Sequence, residues 1–188
     1  NPTNETATHR QNIFSDKAYY FITVNETDGK RIQPKTPITE NTTLQINTFD
    51  DFIFYEKEDV NLFAVGTQWF GEDFSIENTQ NFTIPFPNAV ANTNIAVTVR
   101  GVSTSTTSSS MDVKINTQDI YTLNFSAVNP SGLTQANTAE RRATIQNSSN
   151  SLEVSITYNN AGNPSAKAYL DFIEIVGKKQ LIATDKQF

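Results

Sequence analysis

The stretch LEVSITY, Leu152 to Tyr158, decides the fold class. Leu152, Val154, Ile156 and Tyr158 alternate with Glu153, Ser155 and Thr157. Successive side chains of a strand point to opposite faces, so one face here is apolar and the other polar. That is the pattern of an antiparallel strand with a core on one side and water on the other. The same period recurs in NIAVTVRGV, with Ile95, Val97 and Val99 inward, in MDVKI, with Met111, Val113 and Ile115, and in YTLNF, with Tyr121, Leu123 and Phe125.

Nearer the start, AYYFITV (residues 18–24) is apolar or β-branched at every position, which predicts a strand covered on both faces. TLQINTFDDFIFYE reads as a strand, or a pair of strands, interrupted near Asp50 and Asp51. In NFTIPFP, Phe82, Ile84 and Phe86 alternate. Pro85 and Pro87 lack the N–H that a central strand needs, which places this segment at a sheet edge.

Polar clusters punctuate these runs: NETDGK, STSTTSSS (Ser103–Ser110), NPSG, QNSSNS and NNAGNPS. Such Gly-, Asn- and Ser-rich stretches form turns and loops. Strands of similar length flank the Ser/Thr run, which predicts a long hairpin loop rather than a linker between domains. No segment of a dozen residues has a helical period; TQANTAERRATIQ is the one candidate for a short helix or turn.

The chain is therefore all-β, an antiparallel two-sheet β-sandwich that is jelly-roll-like. Residues 1–14 form a polar N-terminal segment, residues 15–177 a single sandwich domain, and residues 178–188 a strand or linker toward a further domain downstream. A length of 188 residues suits one such domain.

Composition narrows the function. Lys and Arg total 14 and Asp and Glu 20, a formal net charge of -6, the wrong sign for neutralising phosphates. Nucleic acid and anionic membrane surfaces are poor partners for it. No apolar run approaches the roughly 20 residues needed to span a bilayer as a helix, so membrane insertion is not expected. With 0 Cys and 1 His, thiolate nucleophiles, disulfides and ordinary zinc sites have no ligands. His9 sits in the polar N-terminal segment, where a triad base would lack a rigid support, and reads as a solvated bystander. The sequons Asn81-Phe82-Thr83 and Asn124-Phe125-Ser126 are expected by chance in a chain so rich in Asn and Thr.

Carboxylates are more plentiful. Asp50, Asp51, Glu56, Glu58, Asp59, Glu72 and Asp73 crowd one region, and a glycosidase needs only two carboxyl groups flanking its bond. Solvated acidic loops are the ordinary alternative in a protein of this composition. The same oxygens allow a structural calcium ion, although no DxDxDG loop is present. No other cofactor is indicated.

The segment VGTQWFGEDF, Val65 to Phe74, holds the 1 Trp of the chain. Trp69, Phe70, Glu72 and Asp73 are the candidate ligand or interface residues. Trp69 and Phe70 serve either as a stacking platform for sugar rings, as in a carbohydrate-binding module, or as packed aromatic anchors, and the composition favours core packing. Gly66 and Gly71 bracket them, a sign of tight turns or close backbone approach. The basic doublets Arg141-Arg142 and Lys178-Lys179 have no interleaved aromatics and read as solvated faces.

FYEKEDVNLFAVGTQWFGEDF resembles a segment that precedes the peptidase domain in the PorU family, with an acidic pair, an Asn, a Gly, a Trp and then Gly-Glu-x-Phe. These are gingipain-type cysteine peptidases that act as sortases of the type IX secretion system in Bacteroidetes. AYYFITV is similar to a Tyr-Tyr-Phe strand of that family, and AYLDFIEIVGKKQL followed by DKQF is similar to its Leu-Asp-aromatic-Ile-Glu strand. The resemblance implies an exported protein, associated with the outer-membrane surface or the periplasm. The β domain would partner its own downstream peptidase domain, and with it secreted cargo or an outer-membrane secretion-system protein. This stretch has no Cys, and His9 precedes the matching region. The resemblance therefore extends to a non-catalytic β domain alone, and no catalytic role passes to any position.

Overall fold

The computed structural model describes residues 15, 17, 19–24, 29–37, 39, 41, 43–62, 67–147 and 149–183. The chain divides into two compact units, Arg10–Ile46 and Asn47–Phe188 together with Asn1–His9. The described residues of the second contain eight strands: β1 Thr48–Glu56, β2 Thr79–Pro85, β3 Thr93–Ser103, β4 Ser109–Ile115, β5 Gln118–Phe125, β6 Asn137–Asn147, β7 Ser151–Asn159 and β8 Ala168–Gln180. They form two four-stranded sheets in the orders β1-β8-β3-β6 and β2-β7-β4-β5, with every pair antiparallel. Two Greek keys laid on each other in this way make a jelly roll.

The inward parity of each strand supplies the core. Leu152, Val154, Ile156 and Tyr158 of β7 face Ile95, Val97 and Val99 of β3 and Ile173 and Ile175 of β8, all buried. The far face of the second sheet is polar, as the alternation predicts: Thr83 donates a hydrogen bond to Glu153 at 2.8 Å and Thr122 to Asp112 at 2.6 Å. The first sheet departs from simple alternation. Ala96, Thr98 and Val102 on β3 and Tyr169, Glu174 and Val176 on β8 are buried too. Its two central strands are therefore covered on both faces.

Four sequence expectations change. TLQINTFDDFIFYE yields one uninterrupted strand from Thr48, because Asp50 and Asp51 are neutralised across the ladder by Lys178 at 2.9 Å and Lys179 at 2.8 Å. The helix candidate TQANTAERRATIQ holds all of β6 but its last residue, and the 11 residues of that strand pair along β3. Arg141 hid its alternation: it occupies an inward parity, yet lies over the Tyr121 ring at 5.7 Å and donates to the Thr122 carbonyl at 3.3 Å. The Ser/Thr run is not a hairpin loop, because β3 and β4 belong to different sheets and residues 104–108 cross between them. The basic doublets are engaged rather than merely solvated, with Lys179 also lying 4.7 Å over the Phe86 ring.

AYYFITV also departs from its reading. Tyr19–Val24 is not in a strand, and its side chains are exposed. NFTIPFP behaves as expected, with β2 at an edge and ending at Pro85. Gly177 to Gln180 continue β8, so part of the closing basic segment is strand. His9 and residues 184–188 lie outside the described residues.

Candidate functional site

Antiparallel pairing brings four connections to one end of the sandwich: β1–β2, β3–β4, β5–β6 and β7–β8. The first, residues 57–78, is the longest and carries all four candidate residues. Loops clustered on a rigid scaffold are where binding residues concentrate.

β1 runs beside β8 until Glu56 meets Phe172, and then the chain leaves the sheet. It returns at Phe70, which exchanges backbone hydrogen bonds with Val60, both 2.8 Å. The next residues resume the vacated edge of β8. The Gly71 N–H donates to the Leu170 carbonyl at 2.7 Å, the Leu170 N–H to Glu72 at 3.1 Å, and the Phe74 N–H to Ala168 at 2.9 Å. Gly71 is required by this close approach, since a Cβ there would sit 3.0 Å from the Lys57 Cβ and 3.3 Å from the Lys57 carbonyl oxygen.

The strand-like path sends neighbouring side chains different ways. Phe70, 1% exposed, packs with Val102 and Tyr169 in a small second apolar cluster, flanked by Val60, Leu62 and Ala136. Phe74, also 1% exposed, enters the main core. Trp69 points elsewhere and remains 41% exposed. The expected core anchor is therefore Phe70 rather than Trp69; one residue of displacement along an extended chain exchanges inside for outside.

Glu72 turns toward β1. Its Oε1 accepts a hydrogen bond from the Tyr55 hydroxyl and pairs with Lys57 Nζ at 2.9 Å, while Oε2 is buried with no hydrogen-bond partner among the described residues. Burial, and then the bond to Glu72, raise the Tyr55 pKa; the same carboxylate raises that of Lys57. Asp73 is exposed, and its Oδ1 accepts the Ser75 N–H at 2.7 Å in a turn of its own. Its charge is a secondary reason, after burial, for the raised pKa of Tyr169.

The structure thus brings Trp69, Phe70, Glu72 and Asp73 onto one segment but gives each a separate task. Glu72 and Asp73 engage different partners rather than facing each other. Sequence reasoning missed Tyr55 and Lys57; the inward parity of Tyr55 with Ile53 was visible, but its bond to Glu72 spans the whole loop. Among the described residues no group of three or more His, Cys, Asp or Glu side chains is placed to hold a metal ion. Among the described residues no helix is long and apolar enough to cross a membrane.

No protein-family model matches the chain, and no curated protein matches it. Among solved structures it is similar to dimeric latent PorU from Porphyromonas gingivalis, at 19% identity and a TM-score of 0.63 over 72% of this chain. That overlap is 13% of the PorU chain. Looser overlaps occur with the CBM36-1 domain of a multidomain xylanase from the hindgut metagenome of Trinervitermes trinervoides (15% identity, TM-score 0.44, 67% of this chain and 95% of that one). CBM35 from Cellvibrio japonicus Abf62 overlaps similarly (14% identity, TM-score 0.45, 69% and 97%). At these identities what is shared is the fold: this chain holds a jelly-roll β-sandwich similar to one segment of PorU.

Proposed function

We propose that the sandwich is a non-catalytic module of a larger exported protein of the PorU kind, at the outer-membrane-associated surface or in the periplasm. In this reading it packs against a gingipain-type peptidase domain of the same polypeptide, or helps that domain meet secreted cargo or an outer-membrane secretion-system protein. A juxtaposition carries the reading. Two of the stretches that resemble the PorU family, Trp69–Phe74 and Ala168–Lys179, are distant in sequence yet joined through Gly71, Glu72 and Leu170. The shared motif thus describes one piece of architecture, and its residues act in packing and turns.

Deleting residues 47–183 from the parent tests this. Cargo maturation should fall while the isolated module shows no peptidase activity; normal maturation after the deletion would refute the reading. The exposure of Trp69 favours a second one, a carbohydrate-binding module with that indole as platform. It requires a shift of Trp69 fluorescence on titration with polysaccharides, and a flat titration with soluble xylan, glucan and mannan removes it.

A further inference from the structure

The outer face of the β2-β7-β4-β5 sheet carries a polar cleft that the core does not use. The registers set Thr79, Thr157, Asp112 and Thr122 side by side on one rung across all four strands. At the usual strand spacing that rung is about 14 Å long. Its side chains hold one another: the Thr79 and Thr157 hydroxyls lie 3.0 Å apart, and Thr122 donates to Asp112 Oδ1 at 2.6 Å. Toward the β4–β5 turn a hollow of about 580 Å³ reaches Lys114, Asp119 and Ile120. Toward the end that carries the four connections, one of about 290 Å³ reaches Ser75, Asn78, Asn159 and Asn160. Asp112 and Thr157 line both. Every residue lining either hollow belongs to the jelly-roll unit, and Trp69 is not among them.

An ordinary solvated face is dressed with long charged side chains, and this rung differs from one. It is built of short side chains already fixed by hydrogen bonds, so little freedom is lost when a ligand arrives. The β4–β5 ladder is bulged between Val113 and Lys114, which leaves Ile120 as the extra residue in the wall of the larger hollow. Bulges re-aim side chains in this way beside binding sites. Asn159 and Asn160 turn their Oδ1 atoms onto the Ala161 and Gly162 N–H groups, at 2.9 and 3.0 Å. Their Nδ2 groups donate to no partner among the described residues, and Asp112 Oδ2 accepts from none.

That inventory of donors and acceptors selects a ligand class. Among the described residues lining the hollows the one cation, Lys114, is paired with Asp119 at 3.0 Å, and Asp112 repels anions, so phosphates and acidic peptides fit poorly. A protein partner needs an aromatic or aliphatic anchor to desolvate, whereas Val113, Tyr121 and Tyr158 in the floor are already buried in the core. A neutral sugar has hydroxyls that donate to Asp112, accept from Asn159 and Asn160 and do either with Thr157, and a C–H face that can lie on Ile120. We propose that this cleft binds a neutral oligosaccharide, with Asp112 and the amides of Asn159 and Asn160 recognising its hydroxyls. The site is additional to the module reading and makes no use of Trp69.

Titration of the 188-residue chain with xylohexaose, cellohexaose and mannohexaose, each to about 10 mM, tests it by heteronuclear NMR of the backbone amides. At least one sugar should shift the amides of Asp112, Thr157 and Asn160, with a Kd on the order of 1 mM for a site of hydrogen bonds without an aromatic platform. Asp112→Asn keeps an acceptor for Thr122 but turns the other oxygen into a donor. That variant and Asn160→Ala should each weaken binding roughly 10-fold, while Trp69→Ala leaves it unchanged. Circular dichroism checks that the variants fold, and Thr157→Val, equal in shape but without the hydroxyl, replaces either one that does not. No shift with any of the three sugars overturns the proposal, as does binding that the cleft variants retain at full strength. Shifts that vanish in Trp69→Ala overturn it in favour of the indole platform. If deletion of residues 47–183 blocks cargo maturation but no sugar binds, this proposal alone fails. If a sugar binds in the cleft and maturation is normal after the deletion, the module reading is what fails.

Discussion

Phe70→Ala is the substitution that most directly probes how the β1–β2 connection is held. The Phe70 ring is 1% exposed and packs with Val102 and Tyr169 on the face of the first sheet turned away from the main core. Truncating a buried Phe costs about 3–5 kcal/mol, the transfer of the ring plus the void it leaves. The low end applies here, because Val60, Leu62 and Ala136 are only partly buried and can settle into the space. A loss of about 3 kcal/mol corresponds to roughly 6–12 °C in Tm for a domain of this size. The assay is urea unfolding followed by far-UV circular dichroism and, separately, by the emission of Trp69. That single indole adjoins the substituted residue, and its native emission should shift to the red as the segment loosens. A loss under about 1 kcal/mol with unchanged Trp69 emission would refute the claim that Phe70 anchors the segment.

Three further outcomes follow from the same geometry. Gly177→Ala places a Cβ 2.6 Å from Ile95 Cγ2 and 3.2 Å from Phe86 Cε1, and should cost about 1–3 kcal/mol by overpacking; an unchanged melting curve would show that this approach is not tight. Tyr55→Phe removes a donor to Glu72 and should destabilise by about 1–3 kcal/mol, with the loss shrinking in a Glu72→Gln background; strict additivity in the double-mutant cycle would argue against the bond. Burial raises the folded-state pKa of Tyr121, as it does those of Tyr55 and Tyr169. The folded state therefore binds more protons than the unfolded one above pH about 10, and stability present below that pH is lost as pH climbs toward the folded values. Urea midpoints measured from pH 9 to 12 should fall, less steeply in Tyr121→Phe, and a flat profile in the parent would contradict the burial of these phenols.

Much of this architecture was legible in the sequence. β7, β4 and β5 each have one face in the core and one polar face, so their side chains write a clean period of two. The two-sheet sandwich and the edge position of β2 follow from local rules of the same kind, alternation and a proline that cannot donate. Strands whose surroundings break those rules were read less well. β6 was hidden by Arg141, whose guanidinium reaches the Tyr121 ring and the Thr122 carbonyl from an inward parity. β1 seemed interrupted because the lysines that neutralise Asp50 and Asp51 lie more than a hundred residues away.

The candidate segment divides along the same line. By itself the sequence determined that Trp69, Phe70, Glu72 and Asp73 share a short glycine-bracketed stretch beside a strand, and that a chain with 1 His and 0 Cys has little side-chain chemistry to complete a triad or a zinc site there. Tertiary structure decided the direction of each side chain: Phe70 inward, Trp69 toward solvent, Glu72 to Tyr55 and Lys57, Asp73 to its own turn. It also decided which edge the stretch occupies, the part of β8 that β1 leaves free. The physical reason is that alternation is a property of neighbouring residues, whereas register and partner are properties of pairs far apart in the chain, on which a single sequence carries no local mark.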